Sequence, residues 1–196
     1  MGKYDQSITD ILTIEYEEIQ KLLASLDREV MEKIIDLLIS VKPNGKKVIT
    51  AGAGTSGATA IRVAHSLNVC EVPTFFCDPA YSVHGGTGAI QKGDVVILFS
   101  YSGATTGGID ILKLANARGI KTILVTRFRK SPAAKLADVV LCCGSNEGPY
   151  QFGSVPAKIA QLVVVDMLFQ EYFSRNRKIC EENIQSIASA LSDMHI

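Results

Sequence analysis

Two stretches of the chain share one plan, in which an apolar strand runs into a loop of glycines and hydroxyls and then into a helix. In the first, at residues 47–57, Val48 and Ile49 lead into Gly-Ala-Gly-Thr-Ser-Gly. In the second, at residues 95–106, Val-Val-Ile-Leu-Phe leads into Ser-Tyr-Ser-Gly-Ala-Thr-Thr. A tight glycine turn at the start of a helix presents backbone N–H groups to an anion. The repeated plan therefore predicts a phosphate or other anion site at the carboxyl edge of a parallel sheet.

The rest of the chain alternates between short apolar runs and helical stretches. The apolar runs predict strands near residues 47–52, 73–77, 94–100, 120–126 and 138–142. The helical stretches predict helices near 57–68, 105–118 and 154–175, with a shorter turn near 132–136. The strands are continuous apolar runs without alternation, which is typical of a parallel sheet covered on both faces. We therefore predict an α/β fold with a five-stranded parallel sheet.

Two helices are predicted ahead of the first strand. Residues 7–26 place apolar side chains at helical spacing, and Asp27 can cap a second helix that ends at Pro43-Asn44-Gly45. Such a hairpin must bury its apolar stripe on the sheet layer or on another subunit. Because no linker interrupts the chain, we predict a single domain. Its parts are a helical hairpin at 1–45, an α/β core at 46–175 and a C-terminal helix at 176–196.

The stretch at 154–175 is apolar around almost its whole helical circumference. Its apolar residues include Val155, Ile159, Leu162, Val163, Val164, Val165, Met167, Leu168 and Phe169. A helix without a polar face is buried on all sides, and in a chain of 196 residues this usually needs a second subunit. We therefore expect a homo-oligomer, and specifically a tetramer that is built as a dimer of dimers.

The composition of the chain limits the classes of partner that it can be expected to bind. The chain has 20 basic and 20 acidic residues, so no basic surplus favours nucleic acid. No apolar run reaches the roughly 20 residues of a membrane span, and no signal-peptide pattern opens the chain, so we expect a cytoplasmic protein without a membrane partner. Five cysteines without C-x-x-C spacing predict buried free thiols. We expect no metal and no cofactor.

One alternative is a nicotinamide enzyme. Gly52, Gly54 and Gly57 form G-x-G-x-x-G after a strand, and Asp78 ends the next apolar run about 20 residues later, as the dinucleotide fingerprint requires. Three features weaken this interpretation: the hairpin in front, the small space for a substrate domain, and a second loop as elaborate as the first. A P-loop is excluded because Gly-Lys-Ser/Thr does not occur.

The serine loop, defined here as residues 100–105, needs its own explanation. Its three hydroxyls and the amides of one turn can surround a phosphate without any Lys or Arg. The simpler alternative is that Ser and Thr cap the following helix. Thr55 and Ser56 in the sister loop favour the phosphate interpretation.

Four segments resemble the sugar isomerase (SIS) domain. They are Gly-Ala-Gly-Thr-Ser-Gly at 52–57, Ser-Val-His-Gly-Gly-Thr-Gly at 82–88, Ser-Tyr-Ser-Gly-Ala-Thr at 100–105 and Lys-Leu-Ala-Asp at 135–138. The resemblance covers roughly residues 8–175 and is greatest to the isomerase domain of arabinose-5-phosphate isomerases. It implies a flavodoxin-like three-layer αβα sandwich that binds a phosphorylated sugar.

The resemblance also implies roles for single residues. Ser56, Ser100, Ser102 and Thr105 fall on the family's phosphate-binding positions, and Gly54, Thr55 and Gly103 complete the two loops. Glu147 falls on a catalytic glutamate, and His84 falls on a histidine at the edge of the active site. Two positions depart from the family. Thr55 replaces a catalytic lysine, and Ala104 replaces a glutamate.

These residues predict an aldose–ketose sugar-phosphate isomerase of carbohydrate metabolism. Glu147 would move a proton between neighbouring carbons through an enediolate, and His84 would assist ring opening. The alternatives for these residues are a solvated loop carboxylate and a loop-capping histidine. A second function is a sensor that binds a sugar phosphate without turnover. Because no helix-turn-helix pattern occurs, we expect no direct contact with nucleic acid.

Overall fold

The computed structural model describes residues 8–80, 87–143 and 155–192. The helices are α1 (Ile8–Ser25), α2 (Arg28–Val41), α3 (Thr55–Val69), α4 (Thr106–Ala117), α5 (Val155–Arg175) and α6 (Arg177–Ser192). The strands are β1 (Val48–Gly52), β2 (Thr74–Cys77), β3 (Val95–Phe99), β4 (Lys121–Thr126) and β5 (Val139–Cys142). A short 3-10 turn, Ala133–Lys135, precedes β5.

All five strands are parallel and lie in the order β2-β1-β3-β4-β5. This confirms the predicted α/β fold, and each strand agrees with its predicted position to within one residue at either end. The order reverses between β1 and β3, which makes that pair the switch point at which open α/β sheets bind ligands. Gly52 pairs with Phe99 across it, so the two predicted loops leave adjacent strands side by side.

The helices cover the sheet unequally. One core contains the buried side chains of α2, α3 and α5 and those of Val48, Ile97, Phe99 and Val125 on one face of the sheet. The other core packs α4 against Ile49, Val96, Leu98 and Leu124 on the opposite face. Within the described residues, this second face has α4, the 3-10 turn and Ile90 as its cover.

The leading helices form as predicted. The Asp27 carboxylate accepts a hydrogen bond of 3.1 Å from the Val30 N–H group and so caps α2. Gly45 ends the turn after α2 with a φ of +63°. The helix α1 packs on α5, and α2 packs on α5 and on the sheet. The apolar stripe of α2 (Ile34, Ile35, Leu38 and Val41) and Leu22 of α1 are therefore buried within the chain, whereas Leu23 is half exposed.

The helix α5 is not covered all round by its own chain. Val164 and Val165 are buried against the sheet, but Leu162 is 45 % exposed and Asp166 is also exposed. The described part of the chain therefore leaves one side of α5 uncovered, and the expected second subunit stays a prediction. None of the described helices is long and apolar enough to cross a lipid bilayer.

Candidate functional site

Three glycines fix the path of the first loop without reference to any ligand. A Cβ on Gly52 would lie 2.6 Å from the Ser56 carbonyl oxygen, and a Cβ on Gly57 would lie 2.8 Å from the Gly52 oxygen. Gly54 turns the chain into α3 with a φ of +57°. The strand and helix therefore approach so closely that only glycine fits at positions 52 and 57, and the positive φ favours glycine at position 54, so the G-x-G-x-x-G spacing follows from packing and backbone conformation.

The helix α3 begins at Thr55, two residues earlier than predicted, because Gly54 turns the backbone directly from the loop into the helix. Thr55 and Ser56 therefore belong to the first turn. No side chain caps this helix at Gly54. Ser56 is buried and Thr55 is exposed. First-turn N–H groups have no acceptor within a helix and are available to an anion.

The serine loop folds around its own hydroxyls. The Ser100 Oγ atom accepts a hydrogen bond of 3.1 Å from the Gly103 N–H group and lies 3.4 Å from the Thr105 Oγ1 atom. The Ser102 Oγ atom accepts a hydrogen bond of 3.2 Å from the Ala104 N–H group. Ser100 is buried, whereas Ser102 and Thr105 are exposed. Such bonds hold the loop in one shape and leave the Ser102 and Thr105 hydroxyls open to solvent.

Thr105 precedes α4, yet its side chain makes no capping hydrogen bond. The simpler interpretation of the serine loop, in which its hydroxyls cap the helix, is therefore not what the structure has at this position. Two uncapped helix N-termini, α3 and α4, start from adjacent strands. Each carries a partial positive charge that favours an anion. The seven predicted site residues lie on the two strand-to-helix connections (Gly54, Ser100, Ser102, Gly103 and Thr105) or in the first turn of α3 (Thr55 and Ser56).

Gly103 joins the serine loop to the segment after β4. Its φ is +60°, and its carbonyl oxygen accepts a hydrogen bond of 2.9 Å from the Ala133 N–H group. A Cβ at this position would lie 2.1 Å from the Ser131 Oγ atom. The serine loop thus packs against Ser131 and is hydrogen-bonded to the first residue of the 3-10 turn.

A basic segment lies beside the serine loop. It is Arg127-Phe128-Arg129-Lys130, directly after β4. The Arg127 N–H group donates to the Tyr101 carbonyl oxygen at 3.1 Å, and the Phe128 and Tyr101 rings meet edge to face at 5.8 Å. Sequence analysis missed this segment, although three cations among four residues after a central strand were a visible signal.

Two of the thiols at this edge of the sheet, Cys77 and Cys143, offer no nucleophile. Burial raises the pKa of Cys143, which follows β5, to about 12, and the Cys142 charge adds to it. Burial, with a smaller contribution from the Asp78 charge, also raises the pKa of Cys77 at the end of β2. Both thiols are protonated at neutral pH, and only a thiolate attacks. All five cysteines are free, and four are buried, as predicted, while Cys142 is half-buried.

Asp78 and Asp138 have structural partners. The Asp78 Oδ1 atom accepts a hydrogen bond of 2.9 Å from the Ala80 N–H group. Asp138, from the Lys-Leu-Ala-Asp segment, accepts hydrogen bonds from Lys121 Nζ and from the Thr122 N–H and hydroxyl groups. These bonds tie β5 to the amino end of β4, at the edge opposite to the two loops. Asp138 therefore acts on the fold rather than on a ligand.

Glu147 and His84 lie outside the described residues, so their roles stay predictions. By sequence, Glu147 follows β5, and parallel strands end at one edge. His65, the histidine within the described residues, is exposed on α3.

Comparison with known proteins identifies the family. An arabinose 5-phosphate isomerase of Pseudomonas aeruginosa, KdsD, is 32% identical over 157 residues, which cover 79% of this chain and 47% of that protein. An uncharacterized HTH-type transcriptional regulator of Caldanaerobacter subterraneus subsp. tengcongensis is 31% identical over 163 residues, covering 83% of this chain and 56% of the regulator. This chain therefore spans about half the length of these relatives.

A solved structure agrees in fold. The Vibrio vulnificus NanR protein complexed with ManNAc-6P superposes with a TM-score of 0.83 at 21% identity, over 97% of this chain and 70% of NanR. The model of the SIS domain matches residues 44–170, which contain every strand and both candidate loops. The chain belongs to the SIS domain family.

Proposed function

We propose that this chain binds a phosphorylated sugar and isomerises it between aldose and ketose forms. The observation that carries the proposal is the pair of uncapped helix N-termini, α3 and α4, which start side by side from β1 and β3. Their N–H groups and the hydroxyls of Ser56, Ser102 and Thr105 suit the three oxygens of a phosphate dianion. The similarity to an isomerase and to the ManNAc-6P complex supports this ligand class.

The chemistry of the proposed reaction needs one base. Glu147 would take a proton from the carbon next to the carbonyl, which gives an enediolate, and return it to the carbonyl carbon. The hydroxyl proton would pass from the second oxygen to the first, which leaves a ketose in place of an aldose. His84 would move the ring proton during opening. A phosphate held by the two loops would fix the distance between sugar and base, and this positioning supplies much of the rate.

A sensor that binds without turnover is the second candidate. Thr55 and Ala104 stand where the isomerases carry a lysine and a glutamate, so two of the family's chemical groups are absent. The regulator among the relatives supports this candidate. A nicotinamide enzyme is a weaker third possibility, because close packing already accounts for Gly52 and Gly57.

We also propose a homo-oligomer. A groove between α3 and α5 is lined by Arg62, Ser66, Leu162, Val165, Asp166 and Phe169. Leu162 and the nearby Ile61 expose 45 % and 52 % of their surfaces. Arg62 and Asp166 have no ion pair among the described residues, and their opposite charges suit a two-fold contact in which each faces the other's copy.

One experiment separates the three candidates. Calorimetry with a panel of five- to seven-carbon aldose and ketose phosphates, and with NAD, measures binding, and NMR in deuterated solvent measures proton exchange at the second carbon. Binding with exchange supports the isomerase, and binding without exchange supports the sensor. Binding of NAD with no affinity for any sugar phosphate would overturn the proposal.

A further inference from the structure

The basic segment 127–130 is fixed to the serine loop by contacts on both of its sides. The Tyr101 carbonyl oxygen accepts hydrogen bonds from the Arg127 N–H group at 3.1 Å and from the Thr126 hydroxyl at 3.0 Å. The Tyr101 ring meets the Phe128 ring, and Ser131 lies against Gly103. The cations therefore have a defined place relative to the proposed phosphate loops.

The position of the segment separates it from the phosphate itself. The phosphate loops follow β1 and β3, whereas the segment follows β4, and the order is β1-β3-β4. Neighbouring strands are about 4.8 Å apart, so the end of β4 lies about 10 Å from the end of β1. A sugar whose phosphate occupies the β1–β3 loops reaches the end of β4 with a part of the molecule away from the phosphate.

The charge of the segment is only partly offset nearby. Arg129 Nη2 lies 3.9 Å from Asp27 Oδ2, and both side chains remain well exposed. The Asp27 carboxylate already caps α2 through its other oxygen. Lys130 is exposed. Arg129 and Lys130 are thus neighbouring exposed cations, and the field that they create together favours an anionic group.

We propose that the ligand of this site carries a second anionic group, a carboxylate or a second phosphate, and that Arg129 and Lys130 bind it. The inference rests on the sugar-phosphate binding proposed above. A guanidinium binds a planar carboxylate with two parallel hydrogen bonds, and a lysine ammonium adds a point charge that suits either group. The two phosphate loops contain no cation, so phosphate recognition and recognition of the second anion use separate residues.

The test compares probes that differ in one anionic group. Calorimetry at low salt would measure glucose 6-phosphate against 6-phosphogluconate, which adds a carboxylate, and fructose 6-phosphate against fructose 1,6-bisphosphate, which adds a phosphate. We expect at least one doubly anionic probe to bind about tenfold more tightly than its partner. Raising the salt concentration should reduce this preference. The pair that shows the preference identifies the kind of anion.

The matched variants are Arg129→Gln/Lys130→Gln and Arg177→Gln/Lys178→Gln. The second pair removes the same charge from α6, where both cations are exposed. The first double variant should lose most of the preference and keep its affinity for the singly anionic probes, whereas the second should keep both. Equal affinity of the wild-type chain for all four sugar phosphates would overturn this inference alone. If the first variant lost affinity equally for the singly and the doubly anionic probes, this inference would also be overturned. If the wild-type chain bound none of the four sugar phosphates, the proposed function would be overturned as well.

Discussion

Gly103 lies so close to Ser131 that a Cβ built on the glycine would fall 2.1 Å from the Ser131 Oγ atom and 2.5 Å from its Cβ atom. The glycine also has a φ of +60°. Two separate constraints, backbone conformation and space, therefore select glycine in the loop that carries three candidate ligand hydroxyls. The loop and the segment after β4 form one packed unit.

Gly103→Ala should destabilise the fold by about 2–4 kcal/mol, because a strained backbone and an overpacked contact add together. The matched control is Gly119→Ala. Gly119 has a φ of +64° but no atom within 4 Å of a built Cβ, so only the backbone cost of about 1 kcal/mol applies. Urea unfolding of both variants measures the difference. Equal loss of unfolding free energy in the two variants would show that the contact with Ser131 does not contribute to the destabilisation.

Ser102→Ala should weaken sugar-phosphate binding by about 1–3 kcal/mol, the range for a hydrogen bond to a charged group. Ser102 is exposed and its hydroxyl accepts a local hydrogen bond from the Ala104 N–H group, so stability should change little. Ser100→Ala should reduce both affinity and stability, because the buried Ser100 hydroxyl also holds Gly103. Ser40→Ala, on the surface of α2, serves as the control for calorimetry. Unchanged affinity in both loop variants would show that the phosphate site lies elsewhere in the chain.

The strands and their loops could be predicted because each strand is a separate apolar run between glycine-rich or polar turns. Two features could not. The start of α3 depends on the φ of Gly54, and a sequence pattern carries no backbone angle. The support of Gly103 by Ser131 joins residues far apart in the chain, and only the packed fold brings them together.

The role of Asp138 also needed the structure. The sequence motif Lys-Leu-Ala-Asp indicated family membership but not position, and the fold places Asp138 at the amino end of β4 through its bonds to Thr122. The basic segment was present in the sequence from the start. Its position beside the serine loop could not be predicted, because that position depends on the strand order, which brings the end of β4 next to that of β3.

Asp138→Asn should reduce stability near pH 7 by about 1–3 kcal/mol. Burial acts to raise the pKa of the Asp138 carboxyl, but hydrogen bonds from Lys121 and Thr122 outweigh it and hold that pKa below its usual value. A lowered pKa contributes stability above the unfolded value near 4, and this contribution is lost as the pH falls through the folded value. The difference between variant and wild type should therefore shrink below about pH 4.

The control for this pH series is Asp110→Asn, since Asp110 lies on the surface of α4 with Lys113 at 3.6 Å. Thermal unfolding between pH 3 and pH 7 measures both variants. A penalty in Asp138→Asn that stayed constant over this range would contradict a role for the ionised carboxylate.

Arg62→Glu and Asp166→Arg should each weaken the proposed self-association, because each would place like charges opposite one another across a two-fold axis. The double variant restores opposite charges and should recover much of the wild-type association. Sedimentation at micromolar concentration measures the assembly. A wild-type chain that stays monomeric would contradict the oligomer, and a double variant as weak as the single ones would contradict this choice of surface.

Glu147→Gln should abolish isomerisation while leaving binding nearly intact. A glutamine keeps the size and polarity of the side chain but cannot accept a proton, so the loss should reach about 10²-fold or more, the contribution of a general base. Proton exchange at the second carbon, followed by NMR in deuterated solvent, isolates this step from binding. Glu171→Gln, on the exposed end of α5, controls for a change of charge. If the wild-type chain binds sugar phosphates without any exchange, Glu147 is not a base and the sensor is the correct function. If Glu147→Gln exchanges as fast as the wild type, another group takes the proton.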